Sequence, residues 1–193
     1  MLVRCGVSDA LSEPVLVHPT IERLEEYLDM LDRARALGEN GDGYTLVETG
    51  PIRRSGGAKY LKTLDDFEAG VRLPDGWVPV ATRWLLNADG RLAGETRLRF
   101  KLTDALEVEG GHVGYFIHPD HRRRGLGHAI LRLALKELRA AGVSRVLVTC
   151  NDDNFRSRRV IQAAGGAFRR HTISPRSGTK VATFWIDERV LPE

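Results

Sequence analysis

Residues 110–150, GGHVGYFIHPDHRRRGLGHAILRLALKELRAAGVSRVLVTC, restrict the fold of this chain more than any other stretch. A β-like run over 110–117 stops at His118-Pro119. A helical pattern follows over 122–141, in which Ile130, Leu131, Ala134, Leu135 and Leu138 form one apolar stripe and Gly142 supplies the stop. A second apolar run, VSRVLVTC, occupies 143–150. Strand, helix and strand in this order close as a right-handed crossover between parallel strands. Everything else in the chain has to be built around that pair.

The flanking segments predict antiparallel additions and further helices. TIERLEEYLDMLDRARAL, 20–37, has helical spacing, with Thr20 as N-cap and Gly38 as stop. Residues 38–60 hold six glycines and read as loop, followed by a short helix at about 63–70 capped by Thr63. From Val78 the pattern becomes β, with Asn87-Ala88-Asp89-Gly90 turning a hairpin between arms that carry Trp84 and Leu98. A helix over 154–166 and strands at about 167–173 and 180–187 complete the order. No repeat or linker divides the chain, so 1–193 reads as a single domain with a mixed α/β sheet and helices packed on its faces.

Composition narrows the setting. With 42% hydrophobic and 28% charged residues over 193 positions, the chain can bury a core and has no disorder signature. No apolar run is long enough for a membrane span. Asp9, Glu13 and Pro14 interrupt the stretch where a signal peptide needs apolar residues. Two cysteines, Cys5 and Cys150, without CxxC spacing suggest a reducing compartment, and a cytoplasmic location is expected. Cys150, ending an apolar strand, reads as packing rather than as a nucleophile. The histidines at 112, 118, 121 and 128 match no metal-ligand spacing, so no metal is expected.

The chemistry concentrates in HPDHRRRGLGHA, 118–129. The first turn of a helix already carries unpaired N–H groups and partial positive charge. Arg122, Arg123 and Arg124 add to it, and the nearest acid in sequence is Asp120. Such an arrangement is costly alone and favourable once an outside anion completes it. Gly125 and Gly127 leave the backbone open to a phosphate, and the guanidinium forks suit phosphate oxygens. A Walker loop is missing, and GLGHAI lacks the third glycine of a dinucleotide fingerprint. The expected ligand is a phosphate or pyrophosphate on residues 122–128. Nucleic acid held through HRRR is the rival reading of the same charge.

Arg122–Arg123–Arg124–Gly125–Leu126–Gly127 fits R-x-x-G-x-G directly after a strand, and this resembles the acyl-CoA motif of GNAT-type N-acetyltransferases. Asn154 and Ser157, three apart after VLVTC, resemble the second CoA-contacting segment of that superfamily. The resemblance, to a subgroup of bacterial acetyltransferases, covers about 77–187, leaving 1–76 as a variable part of helices and loop. It implies the GNAT fold: a mixed, mostly antiparallel central sheet with one splayed parallel strand pair and helices on both faces. It also implies acetyl-CoA as cosubstrate. Backbone groups of Phe116, Ile117 and His118 would meet the pantetheine arm. Amides from Arg123 to His128 would hold the pyrophosphate, and Asn154 and Ser157 would contact the pantetheine or phosphate side. The implied reaction is acetyl transfer to a primary amine on a small molecule or peptide. Neither nucleic acid nor membrane is expected as partner, and a homodimer is left open.

Transfer to an amine needs a group to take its proton. Where many relatives place a glutamate on the central strand, this chain has His112, which is the first candidate base; Tyr115 and Glu95 follow. The tyrosine that many relatives use as acid is replaced by Ile161. Another group or water would then protonate the leaving thiolate, or no acid is needed; a non-catalytic acyl-CoA-binding sensor or interaction module of the same fold is the alternative reading.

Overall fold

A computed structural model describes residues 13–39 and 48–187 of the 193-residue chain. Among the described residues seven strands form one sheet: β1 (Val15–Val17), β2 (Val80–Leu86), β3 (Leu92–Arg99), β4 (Val113–Ile117), β5 (Arg145–Asn151), β6 (Ala167–Ile173) and β7 (Lys180–Asp187). Their order is β1-β2-β3-β4-β5-β7-β6, and every neighbouring pair is antiparallel except β4–β5. That exception is the crossover expected from 110–150. Six helices accompany the sheet among the described residues: α1 (Leu24–Ala36), α2 (Thr49–Arg54), α3 (Ala58–Glu68), α4 (Asp104–Val108), α5 (Leu126–Ala140) and α6 (Phe155–Ala163).

The edge strand β6 is largely exposed, while the inner strands are buried on both faces. On one, the α5 stripe of Leu131, Ala134, Leu135 and Leu138 packs on Val113, Val146, Val148, Phe184 and Ile186. On the other, Tyr27, Leu28 and Leu31 of α1 pack on Trp84, Leu92 and Phe116, with Tyr27 stacked on Trp84 at 4.7 Å. Arg83 on β2 ties α3 to α5 through Glu68 at 2.7 Å and Glu137 at 2.8 Å. The β2–β3 turn is set by Asn87, whose side-chain oxygen accepts the N–H groups of Asp89 and Arg91 at 3.0 Å.

Several boundaries differ from the sequence reading, each for a local reason. The glycine-rich 38–60 stretch is not all loop: α2 and the start of α3 lie within it. Gly38, Gly56 and Gly57 punctuate the helices, Gly50 lies inside α2, and the part of this expected loop at 40–47 lies outside the described residues. Gly57, at φ +74°, N-caps α3, and a Cβ there would collide with Leu24. Thr63 is therefore inside α3, its hydroxyl bonded to the Lys59 carbonyl at 2.9 Å, and caps nothing. β1 and α4 are too short for periodicity to register them. α5 begins at Leu126 rather than at residue 122, because Pro119–His121 form a 3-10 turn and Arg123 takes φ +61°.

Candidate functional site

The two parallel strands touch once. Val113 pairs with Val148, after which β4 and β5 diverge and leave a cleft between them. The upstream end is pinned: the His112 N–H donates to the Leu147 carbonyl at 2.8 Å, and the Gly110 N–H to the Thr149 hydroxyl at 2.9 Å. Glu109, Gly110, Gly114, Tyr115, Cys150, Asn151, Asn154 and Ser157 line the opening.

Alternation along β4 decides which backbone groups face it. The His118 N–H donates to the Ala93 carbonyl on β3 at 2.9 Å. Phe116 and Gly114, paired in register with Glu95 and Arg97, face β3 with it. Tyr115 and Ile117 face the cleft. Of the three residues expected to meet a pantetheine strand, Ile117 is placed to do so, and Phe116 and His118 spend their backbone groups on β3. The Ile117 carbonyl also accepts from Arg122 Nε at 3.1 Å.

The arginine run is divided in its duties. Arg122 forks onto Glu39 at 2.5 and 2.6 Å, and Asp120 is paired with Arg33 at 3.1 Å. The acid that sequence proximity could not supply comes from the segment just past α1, so the Arg122 side chain braces the loop instead of waiting for phosphate. Arg123 and Arg124 are exposed, and the N–H groups of Arg123, Arg124 and Gly125 meet no backbone acceptor among the described residues. The Leu126 and Gly127 amides begin α5 and lack intrahelical acceptors by geometry. The His128 N–H is taken by the Gly125 carbonyl at 3.0 Å, so the run of available amides ends at Gly127. Gly125 holds φ +77° and faces open space. Gly127 has a different reason to be glycine: a Cβ there would stand 3.3 Å from Val160 Cγ2, so its absence lets α5 and α6 approach.

Inside the cleft, Asn154 accepts the Ser157 N–H at 3.0 Å and caps α6, which fixes both residues at the margin. The Tyr115 hydroxyl is buried without a well-formed hydrogen bond among the described residues. Burial pushes the phenol up to about 12, with the Ser157 hydroxyl beside it pulling the other way. Burial likewise pushes the Cys150 thiol up to about 11, as suits a packing residue.

His112 does not reach the cleft. Its ring is 6% exposed, and Nδ1 accepts the Leu147 N–H at 2.8 Å, so the side chain stands in for a missing β bridge. Burial holds its imidazole below the ordinary value of 6.5. A histidine kept neutral by the fold stabilises it above the unfolded-chain value and loses that contribution as pH falls through 6.5 toward the lower folded value. Thermal unfolding midpoints should therefore drop from pH 7.5 to pH 5, and His112→Asn should flatten that slope.

Glu95, third among the candidate bases, is 1% exposed on the α1 side of β3. Its Oε1 accepts from Arg97 Nε at 2.9 Å, and it lies in register with Phe116, one residue from Tyr115. Tyr27 stands beside it and bonds the Tyr60 hydroxyl at 3.0 Å. Sequence spacing did not join these groups, since they come from α1, α3 and β3.

The acetyltransferase (GNAT) family model matches residues 58–165, more than half of the chain. This chain belongs to the GNAT acetyltransferase family. The donor used by that family is acetyl-CoA, which agrees with an amide cradle leading into a splayed strand pair. A mycothiol acetyltransferase from Beutenbergia cavernae is 34% identical over 103 residues, 53% of this chain and 33% of that relative. The chain thus spans about a third of the length of that curated relative. Among solved structures, Mycobacterium smegmatis RimJ in complex with CoA-disulfide superposes with a TM-score of 0.71 at 15% identity, covering 93% of this chain and 84% of that one. The microcin C7 self-immunity acetyltransferase MccE, in complex with acetyl-CoA and AMP, gives 0.66 at 13% identity, covering 96% and 98%. At such identities these structures bear on the fold alone, and they show the GNAT fold. Among the described residues no helix is long and apolar enough to cross a membrane.

Proposed function

We propose that this chain transfers an acetyl group from acetyl-CoA to a primary amine by direct attack while both are bound. The observation that carries the reading is continuity: free amides at 123–127 open onto the unpaired edge of β4, and that edge runs into the cleft. The Arg123–Gly127 amides grip the diphosphate, each contact worth about 1.5–3 kcal/mol as a charge-assisted hydrogen bond. The pantetheine lies along Tyr115 and Ile117 as an added strand. A main-chain N–H on this edge polarises the thioester carbonyl.

Proton traffic follows the two faces of the sheet. The amine approaches on the α1 side, where Glu95 takes its proton through water. Its nitrogen bonds to the acetyl carbon, the carbon–sulfur bond breaks, and the thiolate leaves on the α5 side. Tyr115, with a phenol raised to about 12, stays protonated at any working pH and gives its proton to the sulfur. Solvent then returns the proton from Glu95 to Tyr115. His112 takes no part and holds β4 to β5.

The test is release of free CoA thiol that depends on an added amine, with acetyl-CoA binding followed by calorimetry. Binding without such release would leave the acyl-CoA sensor in place of an enzyme. Tyr115→Phe should lower kcat by about 100-fold or more, the usual range for loss of a proton donor, with acetyl-CoA affinity kept. An unchanged kcat would assign the protonation to water.

A further inference from the structure

The margin of the cleft on the α1 side carries more positive charge than its own acids neutralise. Arg97 and Arg99 alternate on β3, facing Gly114 and His112 across the ladder. Arg97 is paired with Glu95, and Arg176, in the β6–β7 turn, pairs with Glu109 at 3.1 Å. Arg99 is half-buried, and its one described side-chain bond goes from Nη1 to the Gly111 carbonyl at 3.3 Å; no carboxylate among the described residues pairs with it. Its location is the second observation. A Cβ on Gly110 would stand 4.0 Å from Arg99 Nη1, and Gly110, Glu109 and Gly114 all line the cleft. Burial, then the nearby charges of Arg97 and Arg176, pull the Arg99 guanidinium down to about 10. A partly desolvated cation flanked by two others is expensive unless an anion joins it.

We infer that the acceptor amine carries an anionic group, a carboxylate or a phosphate, which Arg99 receives with Arg97 and Arg176 flanking it at the mouth of the cleft. This rests on the acetyltransferase reading and adds the substrate class. The guanidinium fork matches two oxygens of either anion. The same positive field disfavours the ammonium form of an incoming amine and turns away polyamines, whose charge has the wrong sign.

Matched acceptors test it: glycine, β-alanine and 4-aminobutyrate against their amides, and phosphoethanolamine against ethanolamine, assayed by thiol release from acetyl-CoA. The better carboxylate or phosphate acceptor should exceed its neutral counterpart in kcat/KM by about tenfold or more, the effect of roughly one charge-assisted bond. In Arg99→Gln that ratio should fall to near one, and Arg99→Lys should keep part of it. Which pair shows the larger ratio distinguishes carboxylate from phosphate. A wild-type ratio of one or less, a panel with no turnover, or a ratio unaltered in Arg99→Gln overturns the inference. Calorimetry separates the failures: acetyl-CoA binding with turnover of neutral amines sinks the substrate class alone, whereas absence of acetyl-CoA binding sinks the acetyltransferase reading with it.

Discussion

Gly125→Glu should reduce acetyl-CoA affinity by at least about 100-fold, because two effects act at one atom. The residue sits at φ +77°, where a side chain costs about 1–2 kcal/mol and shifts the amides that follow it. The added carboxylate then occupies the open space in front of Arg123–Gly127 and repels the diphosphate. Nothing lies within 4 Å of the added Cβ, so the fold should survive with only a modest drop in melting temperature. Gly125→Asn, which tolerates left-handed backbone and adds no charge, should bind within about tenfold of the parent. Calorimetry on the two variants reads both terms, and equal affinity of Gly125→Glu and parent would remove the cradle from the site. Gly127 is a poorer position for this experiment, since the contact with Val160 mixes unpacking of α5 from α6 into any loss of binding.

Glu95→Gln should lower kcat by about 100-fold or more while acetyl-CoA affinity stays near normal, as removal of a general base does. The amide oxygen preserves the bond from Arg97, so the register of β3 against β4 should hold. His112→Asn makes the useful contrast: it should change stability and its pH dependence far more than the chemical step. If Glu95→Gln kept its rate while His112→Asn lost it, the assignment of the proton acceptor would be reversed.

The difference between those two residues shows where sequence reasoning stops. His112 has the spacing of a base on the central strand, and only the fold reveals that Nδ1 is committed to Leu147. Glu95 reads from sequence as a weaker candidate base in a hairpin, yet the fold buries it beside Arg97, Tyr27 and Phe116 as the one fully buried carboxylate among the described residues. Arg122 is a parallel case. Its motif suggests a phosphate ligand, but Glu39, 83 positions away in the chain, occupies its fork.

By itself the sequence determined the parallel crossover, the α5 stripe, the hairpin at Asn87–Gly90 and the glycine that opens the amide cradle. Those features depend on periodicity, turn chemistry and backbone freedom, all of which act between residues a few positions apart. Tertiary structure alone decided which edge of β4 faces the cleft, which arginine is neutralised, which acid is buried on the α1 face of the sheet and where Arg99 stands. These are matters of register and of partners brought from distant segments, and side-chain charge and hydrogen bonding take their values only after those partners have met.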